Sequence, residues 1–235
     1  MSTALFDPIK TMSKITDSVI VGFSGGKESV VLLDLCHKYF KRVYPYFLFI
    51  HPDLQFQQRM LSWYERRYGQ EILRLPHMDV SEYFHYGSFR DGYYEYPLID
   101  INDIYSYLRV KYDTYWIAGG ERMDDSLWRR GMIHNSSSID QKRGRFYPLA
   151  MWKRKECLDY IKYHKLYYSQ DQREKKKGSF GSLHGENLYI IREYYPEDYE
   201  RILQLYPFAG AGVKRYEEYL LKGENKNVHD SVSRG

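Results

Sequence analysis

The chain has 235 residues, which at about 150 residues per domain gives no firm case for a second domain. Lys and Arg number 35 against 31 Asp and Glu, and the formal net charge of +4 is too small to require a polyanionic partner. Two cysteines without a paired spacing exclude disulfide scaffolds, cysteine zinc sites and iron–sulfur clusters. No apolar run approaches the roughly 20 residues of a membrane span, and residues 1–14 lack the apolar block of a signal peptide, so we expect a cytoplasmic protein without membrane contact.

Short apolar runs alternate with helical patterns in the first third of the chain. The β-branched run at 18–22 predicts a strand buried on both faces, and a glycine-rich turn separates it from a helical pattern that ends near Phe40. A second strand is predicted at 43–50, a helix at 55–68 and a third strand at 71–75.

The middle of the chain begins with an irregular aromatic segment. Residues 78–95 predict a loop with short helical turns, and the stretch 83–94 would suit a homodimer contact. Strands alternating with helices at these intervals indicate right-handed crossovers and a parallel sheet. The further predicted elements are helices at 100–111 and 153–164 and strands at 115–118 and 146–149.

The last quarter of the chain differs in composition from the part before it. We predict an α/β domain over 1–170 and a helical C-terminal extension over 171–222, which opens with a charged linker at 173–178. The polar residues 223–235 are expected to form a disordered tail. Within the extension, helices are predicted at 187–192 and 196–205.

The turn after the first strand has the composition of an anion-binding loop. Glycines without Cβ let backbone N–H groups approach a phosphate closely, serine hydroxyls can donate to its oxygens, and the following helix presents its positive end. The glycine spacing excludes both the Walker loop and the dinucleotide fingerprint. The residues of this turn are Ser24, Gly25, Gly26, Lys27, Glu28 and Ser29.

A second candidate cluster follows the fourth predicted strand. Gly119 and Gly120 make room at the carboxyl end of that strand, and Arg122 and Arg129 supply fork-shaped donors for phosphate or sulfate. Ser126 is placed to cap the helix that follows. The alternative interpretation of this cluster is a capped helix with exposed arginines.

Three further residues are weaker candidates. Asp53, at the end of the second strand, is a candidate ligand for Mg²⁺ or a ribose hydroxyl, and His51 is a candidate proton shuttle. The alternative for both is a turn with a capping Asp around Pro52. His184, flanked by a glycine in a loop, is a candidate for closing over a ligand.

Together the two clusters resemble the PP-loop family of ATP pyrophosphatases and adenine nucleotide alpha hydrolases. Residues 22–29 match its loop, Ser-Gly-Gly-x-Asp/Glu-Ser, with Glu28 in the acidic position. Residues 117–130 resemble the strand-end signature of its phosphoadenosine phosphosulfate reductase branch, and residues 147–161 give a weaker third match. The resemblance covers residues 15–170. It implies an α/β fold with a doubly wound five-stranded parallel sheet of the adenine nucleotide alpha hydrolase (HUP) type, and a ligand beyond the strand ends.

The chain departs from that branch in its nucleophile. The reductases carry a reactive cysteine in a C-terminal segment, whereas the corresponding residues 178–185 contain none. Cys36 and Cys157 fall inside predicted helices, where a thiol is inert. Classical sulfonucleotide reduction is therefore not the first expectation.

The resemblance instead implies an enzyme that acts at the α-phosphate of ATP. Pyrophosphate would leave and the adenylyl group would pass to an unknown acceptor, with Mg²⁺ bridging the phosphates and the catalytic work divided between Lys27, Arg122 and Arg129. One alternative is a sulfonucleotide reductase that uses an external thiol partner. Another is a non-catalytic subunit that binds nucleotide or nucleic acid, for which basic clusters at 129–130 and 142–145 offer contacts.

Overall fold

Within the part of the chain that the structure describes, six strands form one sheet. The computed structural model describes residues 3–136, 138–168 and 182–232. The strands are β1 Ser18–Gly22, β2 Arg42–Phe49, β3 Leu73–Pro76, β4 Ile117–Ala118, β5 Ile139–Asp140 and β6 Arg145–Phe146. Their order across the sheet is β3-β2-β1-β4-β6-β5.

The strand order identifies a doubly wound sheet. The chain proceeds outward from β1 through β2 to β3, and then returns to place β4 on the other side of β1. All these pairings are parallel, as is that of β4 with β6. The predicted doubly wound parallel sheet is therefore confirmed, and its topological switch point lies between the carboxyl ends of β1 and β4, where such folds bind ligands.

The prediction of five strands was wrong by one. β5 pairs antiparallel with β6 at the edge of the sheet, so the sheet has six strands. β5 has two residues, and a pair this short carries no alternation that periodicity can detect. The hairpin depends on local backbone geometry, since Ser138 and Gly144 adopt positive φ values of 65° and 59°.

The predicted helices are present with small shifts at their ends. The helix at 55–68 has the predicted bounds, and α5 begins after Asp100, whose carboxylate accepts from the backbone N–H of Asn102 (2.6 Å) and Asp103 (3.0 Å). The helices are α1 Asp7–Ile15, α2 Lys27–Tyr39, α3 Gln55–Tyr68, α4 Met78–Tyr86, α5 Ile101–Tyr112, α6 Leu127–Ser136, α7 Arg154–Tyr163, α8 Gly185–Tyr194, α9 Pro196–Leu205 and α10 Gly210–Val232.

The region 78–95 corrects the expectation of an irregular loop. Its first half forms α4, and only the second half lacks regular structure. The aromatic residues continue past the end of this helix, so their pattern alone does not show where the helix stops. Of the described helices, none is long and apolar enough to cross a membrane.

The chain divides into two compact units that alternate along the sequence. The first comprises Met1–Phe49, Arg59–His77 and Ile99–Ser179, and the second Ile50–Gln58, Met78–Leu98 and Phe180–Gly235. The boundary proposed near residue 171 and the charged linker at 173–178 fall outside the described residues. The three-part division, including a disordered tail from 223, stays a prediction, although the backbone of α10 continues to Val232.

The first unit has an apolar layer on each face of the sheet. Successive residues of β1 point to opposite faces, so Val19 and Val21 join the larger layer, formed with α1, α2, α3 and α7. Ile20 joins the smaller layer with α5. Burial on both faces explains why the three middle residues of β1 are all β-branched and apolar.

The second unit has a separate apolar core. α8, α9 and α10 contribute Leu188, Ile202 and Val213, and the residues after β2 contribute Ile50. The hydroxyl of Tyr206 donates to the carbonyl of Ile50 at 2.8 Å. The aromatic stretch expected to form a homodimer contact belongs to this unit and leaves several tyrosines exposed, but a homodimer stays a prediction.

A buried carboxylate joins three helices behind the sheet of the first unit. Asp34 of α2 accepts hydrogen bonds from the hydroxyls of Tyr68 and Tyr160, each at 2.7 Å, and pairs with Lys38 at 2.7 Å. Burial alone would raise the pKa of Asp34. These hydrogen bonds lower the pKa by a larger amount, so it lies below its ordinary value. The network holds α2, which begins at the anion-binding turn, against α3 and α7.

His37 gives the stability of this unit a defined pH dependence. Its ring stacks on Tyr68 with 3.9 Å between ring centroids, and burial lowers its pKa to about 4, with the neighbouring Asp34 opposing the shift. The unfolded chain takes up this proton near pH 6.5, whereas the folded chain does so only near its lower pKa, so stability falls as the pH drops between these values. We expect His37→Phe, which keeps the stacking, to remove about 2 kcal/mol of the acid-induced loss.

Denaturant unfolding near neutral pH and near pH 4.5 measures this effect. His134→Gln is the matched control, because that ring is exposed and hydrated in both states. Equal acid sensitivity of the wild type and the His37→Phe variant would contradict the assignment.

Candidate functional site

The predicted anion-binding turn connects β1 to α2. Gly25 has a φ of +76°, and a Cβ there would lie 2.7 Å from Cε of Met60 and overlap its Sδ. Gly26 is the residue before α2, so the helix begins at Lys27 with its first N–H groups free of partners within the helix. Turn and helix together form the arrangement that binds phosphate.

The side chain of Ser29 links Ser24 to Gly26 inside this turn. Its Oγ accepts from the backbone N–H of Ser24 and from the hydroxyl of Ser24, each at 3.2 Å, and donates to the carbonyl of Gly26 at 2.9 Å. Ser29 is buried and its proton is in use, whereas Ser24 is exposed. The geometry therefore gives Ser29 a positioning role and leaves Ser24 accessible to a ligand.

The three predicted cations alternate with two carboxylates in one row of ion pairs, the charged chain. Oε1 of Glu28 contacts Nζ of Lys27 at 2.8 Å and Nε of Arg122 at 3.1 Å. Asp125 continues the chain, because its carboxylate contacts Arg122 at 2.6 Å and Arg129 at 3.0 Å. The sequence thus brings residues from α2, α6 and the segment between β4 and α6 together.

Arg122 is the buried centre of this chain. Its side chain is 7% exposed, and Nη1 also donates to the carbonyl of Trp152 at 3.3 Å. Burial raises the pKa of Asp125, but the backbone N–H and the guanidinium of Arg122 lower it more, so its pKa lies below the ordinary value. Arg122 therefore keeps Asp125 in its charged form and pairs with Glu28 on its other side.

A cavity of about 430 Å³ opens beside the turn and the charged chain. It is lined by Gly22, Ser24, Lys27, Glu28, Ser29, Gly120, Glu121, Asp125 and Arg129. Sequence reasoning missed Gly22, Glu121 and Asp125 as site residues, although Asp125 stands directly before the predicted Ser126. Gly120 fits closely against α2, since a Cβ on it would lie 3.4 Å from Cβ of Glu28.

The other predicted residues of these two clusters do not line the cavity but support the residues that do. Ser126 accepts from the backbone N–H of Arg129 at 3.1 Å and so caps α6 as expected. Gly119 leaves the room that Glu121 occupies. The members of these two clusters that do not line the cavity are Gly25, Gly26, Gly119, Arg122 and Ser126.

Residues 18–174 match the sequence model of the phosphoadenosine phosphosulfate reductase domain. The chain belongs to the phosphoadenosine phosphosulfate reductase family. The match begins at β1 and includes both candidate clusters, so the resemblance inferred from residues 22–29 and 117–130 is confirmed. A comparison with curated proteins finds no match.

Solved structures with similar folds are relatively distant. A U34-tRNA thiolase from Methanococcus maripaludis is 15% identical, with 86% of this chain and 78% of that chain covered and a TM-score of 0.48. An NH3-dependent NAD synthetase from Campylobacter jejuni is 15% identical, with 90% and 91% covered and a TM-score of 0.45. A phosphoadenylyl-sulfate reductase from Candida auris is 14% identical, with 72% and 89% covered and a TM-score of 0.44.

Neither cysteine of this family member is a reactive thiol. Cys36 and Cys157 are buried, and burial raises the pKa of Cys157 to about 12 and that of Cys36 further. A thiolate is the attacking form of cysteine, and neither residue forms one near neutral pH. The sequence has no other cysteine.

The weaker candidates belong to the second unit, whereas every residue lining the cavity belongs to the first. Nδ1 of His51 accepts from the backbone N–H of Asp53 at 3.1 Å, and burial lowers the pKa of this histidine. His184 stands directly before α8. The roles of His51, Asp53 and His184 in ligand binding or catalysis stay predictions.

Metal binding by protein groups alone has no support among the described residues. No group of three or more His, Cys, Asp or Glu in that part of the chain is arranged to hold a metal ion. Mg²⁺ commonly reaches such sites on the phosphates of a nucleotide, with one or two carboxylates added. Glu28, Glu121 and Asp125 supply carboxylates in the cavity wall, so the lining fits Mg²⁺ carried by a nucleotide.

Proposed function

We propose that this protein binds magnesium ATP in the cavity beside residues 24–29 and promotes attack on the α-phosphate. An acceptor nucleophile forms a bond to the α-phosphorus, the bond from that phosphorus to the bridging oxygen breaks, and pyrophosphate leaves with the electron pair. The single observation that carries the proposal is the phosphate-type turn at the start of α2, facing the charged chain from Lys27 to Arg129.

The residues of the cavity would act by positioning and by charge. The N–H groups of the first turn of α2 would hold the pyrophosphate portion, and Lys27 would neutralise the charge that develops on it. Arg129, with a side chain 45% exposed, is free to turn from Asp125 toward a phosphate. Arg122, which does not line the cavity, would hold Glu28 and Asp125 in place through its two ion pairs. Mg²⁺ would arrive with the nucleotide.

The family match favours a second candidate function. The family is named for enzymes that reduce an adenosine sulfonucleotide, and the same cavity would hold that nucleotide. Reduction needs two electrons from a thiol, and the buried state of Cys36 and Cys157 means that an external dithiol partner would have to supply them. Sulfite and the adenosine bisphosphate would then be the products.

Product analysis tests the proposal. We expect the protein to release pyrophosphate from ATP in the presence of Mg²⁺, with water as the slow acceptor, and Lys27→Met to lower the rate at least about tenfold because the leaving charge loses its partner. Lys155→Met, on the exposed surface of α7, is the matched control and should leave the rate unchanged. Phosphorus-31 NMR distinguishes pyrophosphate from orthophosphate and so fixes which bond breaks.

Two other outcomes would overturn the proposal. Sulfite release from the sulfonucleotide with an added dithiol, without pyrophosphate release from ATP, would favour the reductase. Tight ATP binding by calorimetry without turnover of either substrate would favour a binding subunit. Mass spectrometry of nucleotides that copurify with the protein adds an independent reading of the pocket and of the acceptor. Nucleic acid as acceptor or partner stays a prediction.

A further inference from the structure

Glu121 places a carboxylate in the wall of the cavity, and only one of its two oxygens is paired with Arg145. Glu121 follows β4 and lines the cavity next to Gly120. A negative charge at this point repels phosphate, so its presence weakens the binding that the turn provides. A carboxylate at this point therefore suits a hydrogen-bond donor of the ligand or its metal ion, and not bare phosphate oxygens.

The surroundings of Glu121 fix its carboxylate. Oε1 accepts from Nη2 of Arg145 at 2.7 Å. The guanidinium of Arg145 lies between two aromatic rings, 5.2 Å from the ring centroid of Tyr105 and 5.3 Å from that of Tyr147. Such stacking fixes the orientation of the guanidinium plane.

Gly119 completes this arrangement. A Cβ at that position would overlap Oε2 of Glu121 and would lie 3.1 Å from Nη2 of Arg145. The absence of a side chain therefore makes the space that the carboxylate fills. Among the described residues, none forms a hydrogen bond to Oε2, so this oxygen is available to a ligand in the cavity.

The position of Glu121 in the fold indicates which part of a nucleotide it meets. β1 and β4 are adjacent and parallel, with Val21 opposite Ala118, so the phosphate turn and Glu121 leave the same edge of the sheet on the two sides of the switch point. Nucleotides bind across this crevice, with their phosphates at the glycine-rich turn. Glu121 lines the same cavity as the turn, so it lies within reach of the part of the nucleotide that adjoins the phosphates. Ribose hydroxyls are the neutral donors nearest the phosphates, and carboxylates accept from them well.

We infer that Glu121 accepts hydrogen bonds from the ribose hydroxyls of the bound adenine nucleotide and selects ribonucleotides, with Arg145 as its positioning residue. This inference rests on the proposed function, because it requires a nucleotide in the cavity. The inference goes beyond the proposed function, because it assigns a specificity-determining residue that acts on the sugar and not on the phosphates.

Calorimetric titration of the wild-type protein tests the inference without any substitution. The ligands are magnesium ATP, 2′-deoxyATP, 3′-deoxyATP and pyrophosphate. Loss of a hydrogen bond to a charged group costs enough to weaken binding about tenfold, so at least one deoxynucleotide should bind that much more weakly than ATP. Equal affinity for ATP and both deoxynucleotides would overturn the inference while leaving the proposed function intact.

The variant Glu121→Gln separates recognition of the sugar from general electrostatics. Removal of a negative charge alone would strengthen the binding of every phosphate ligand. We expect pyrophosphate to bind at least as tightly as to the wild type, whereas ATP should bind more weakly and lose its advantage over the deoxynucleotides. Weaker binding of pyrophosphate, to the same degree as ATP, would mean that Glu121 only supports the fold of the site and would overturn the inference.

Arg145→Lys tests the positioning role. The charge opposite Glu121 is kept, but the planar contact with the tyrosine rings is lost. The ratio of ATP to deoxynucleotide affinity should fall while pyrophosphate affinity is kept, a pattern that simple destabilisation would not produce. An unchanged ratio would overturn the role of Arg145. Failure of the wild type to bind either ATP or pyrophosphate would overturn the proposed function together with this inference.

Discussion

Replacing Gly25 with alanine is expected to abolish nucleotide binding and to lower the free energy of unfolding by about 3 kcal/mol. The positive φ of Gly25 costs a residue with a Cβ about 1–2 kcal/mol, and the new methyl group would overlap the side chain of Met60 in the core. The turn must then change its path, and the N–H groups that begin α2 lose their orientation. Denaturant unfolding and calorimetry with ATP measure the two effects.

The neighbouring glycine provides the control. Gly26 has a φ of −67°, and a Cβ there would meet its nearest atom, Oγ of Ser24, at an ordinary 3.5 Å. Gly26→Ala should therefore change the free energy of unfolding by less than about 1 kcal/mol. Adding Met60→Ala to Gly25→Ala should recover only part of the stability, because it relieves the overlap and not the backbone strain. Similar losses for the two single alanine variants would contradict this account of the turn.

The local parts of the site could be predicted from sequence. The turn needs a buried strand, two glycines and a helix in direct succession, and each leaves a signal within a few residues. The anion-binding turn therefore follows from residues 18–40, and the parallel sheet follows from the alternation of strands and helices. The same holds for Ser126, whose cap to α6 depends on a spacing of three residues. The doubly wound strand order comes from the family resemblance.

The non-local parts could not be predicted in this way. Arg122 looks like an unpaired cation in the sequence, whereas the tertiary fold brings its Nε within 3.1 Å of Glu28, far earlier in the chain. Glu121 gave no signal, since its role depends on Arg145, 24 residues later in the chain. The second compact unit likewise depends on contacts between distant segments, since it joins Ile50–Gln58, Met78–Leu98 and Phe180–Gly235.

Replacing Arg122 with alanine is expected to give the largest combined loss of stability and activity. The substitution leaves Glu28 and Asp125 without the buried partner that holds both, and breaking a buried ion pair costs about 3–5 kcal/mol. Lys27 loses the fixed position of Glu28, so release of pyrophosphate from ATP should fall at least about a hundredfold. Arg130→Ala is the matched control, because that side chain is 55% exposed and lies 3.9 Å from Asp124.

A double variant decides whether Arg122 positions the site or only stabilises the fold. Removing both charges of a buried pair costs less than removing one, so Arg122→Met with Glu28→Gln should unfold at a higher denaturant concentration than Arg122→Met alone. Lys27 still lacks a charged anchor in the double variant, so ATP affinity should stay low even though stability returns. Recovery of ATP affinity in parallel with stability would show that Arg122 acts on the nucleotide only through the fold.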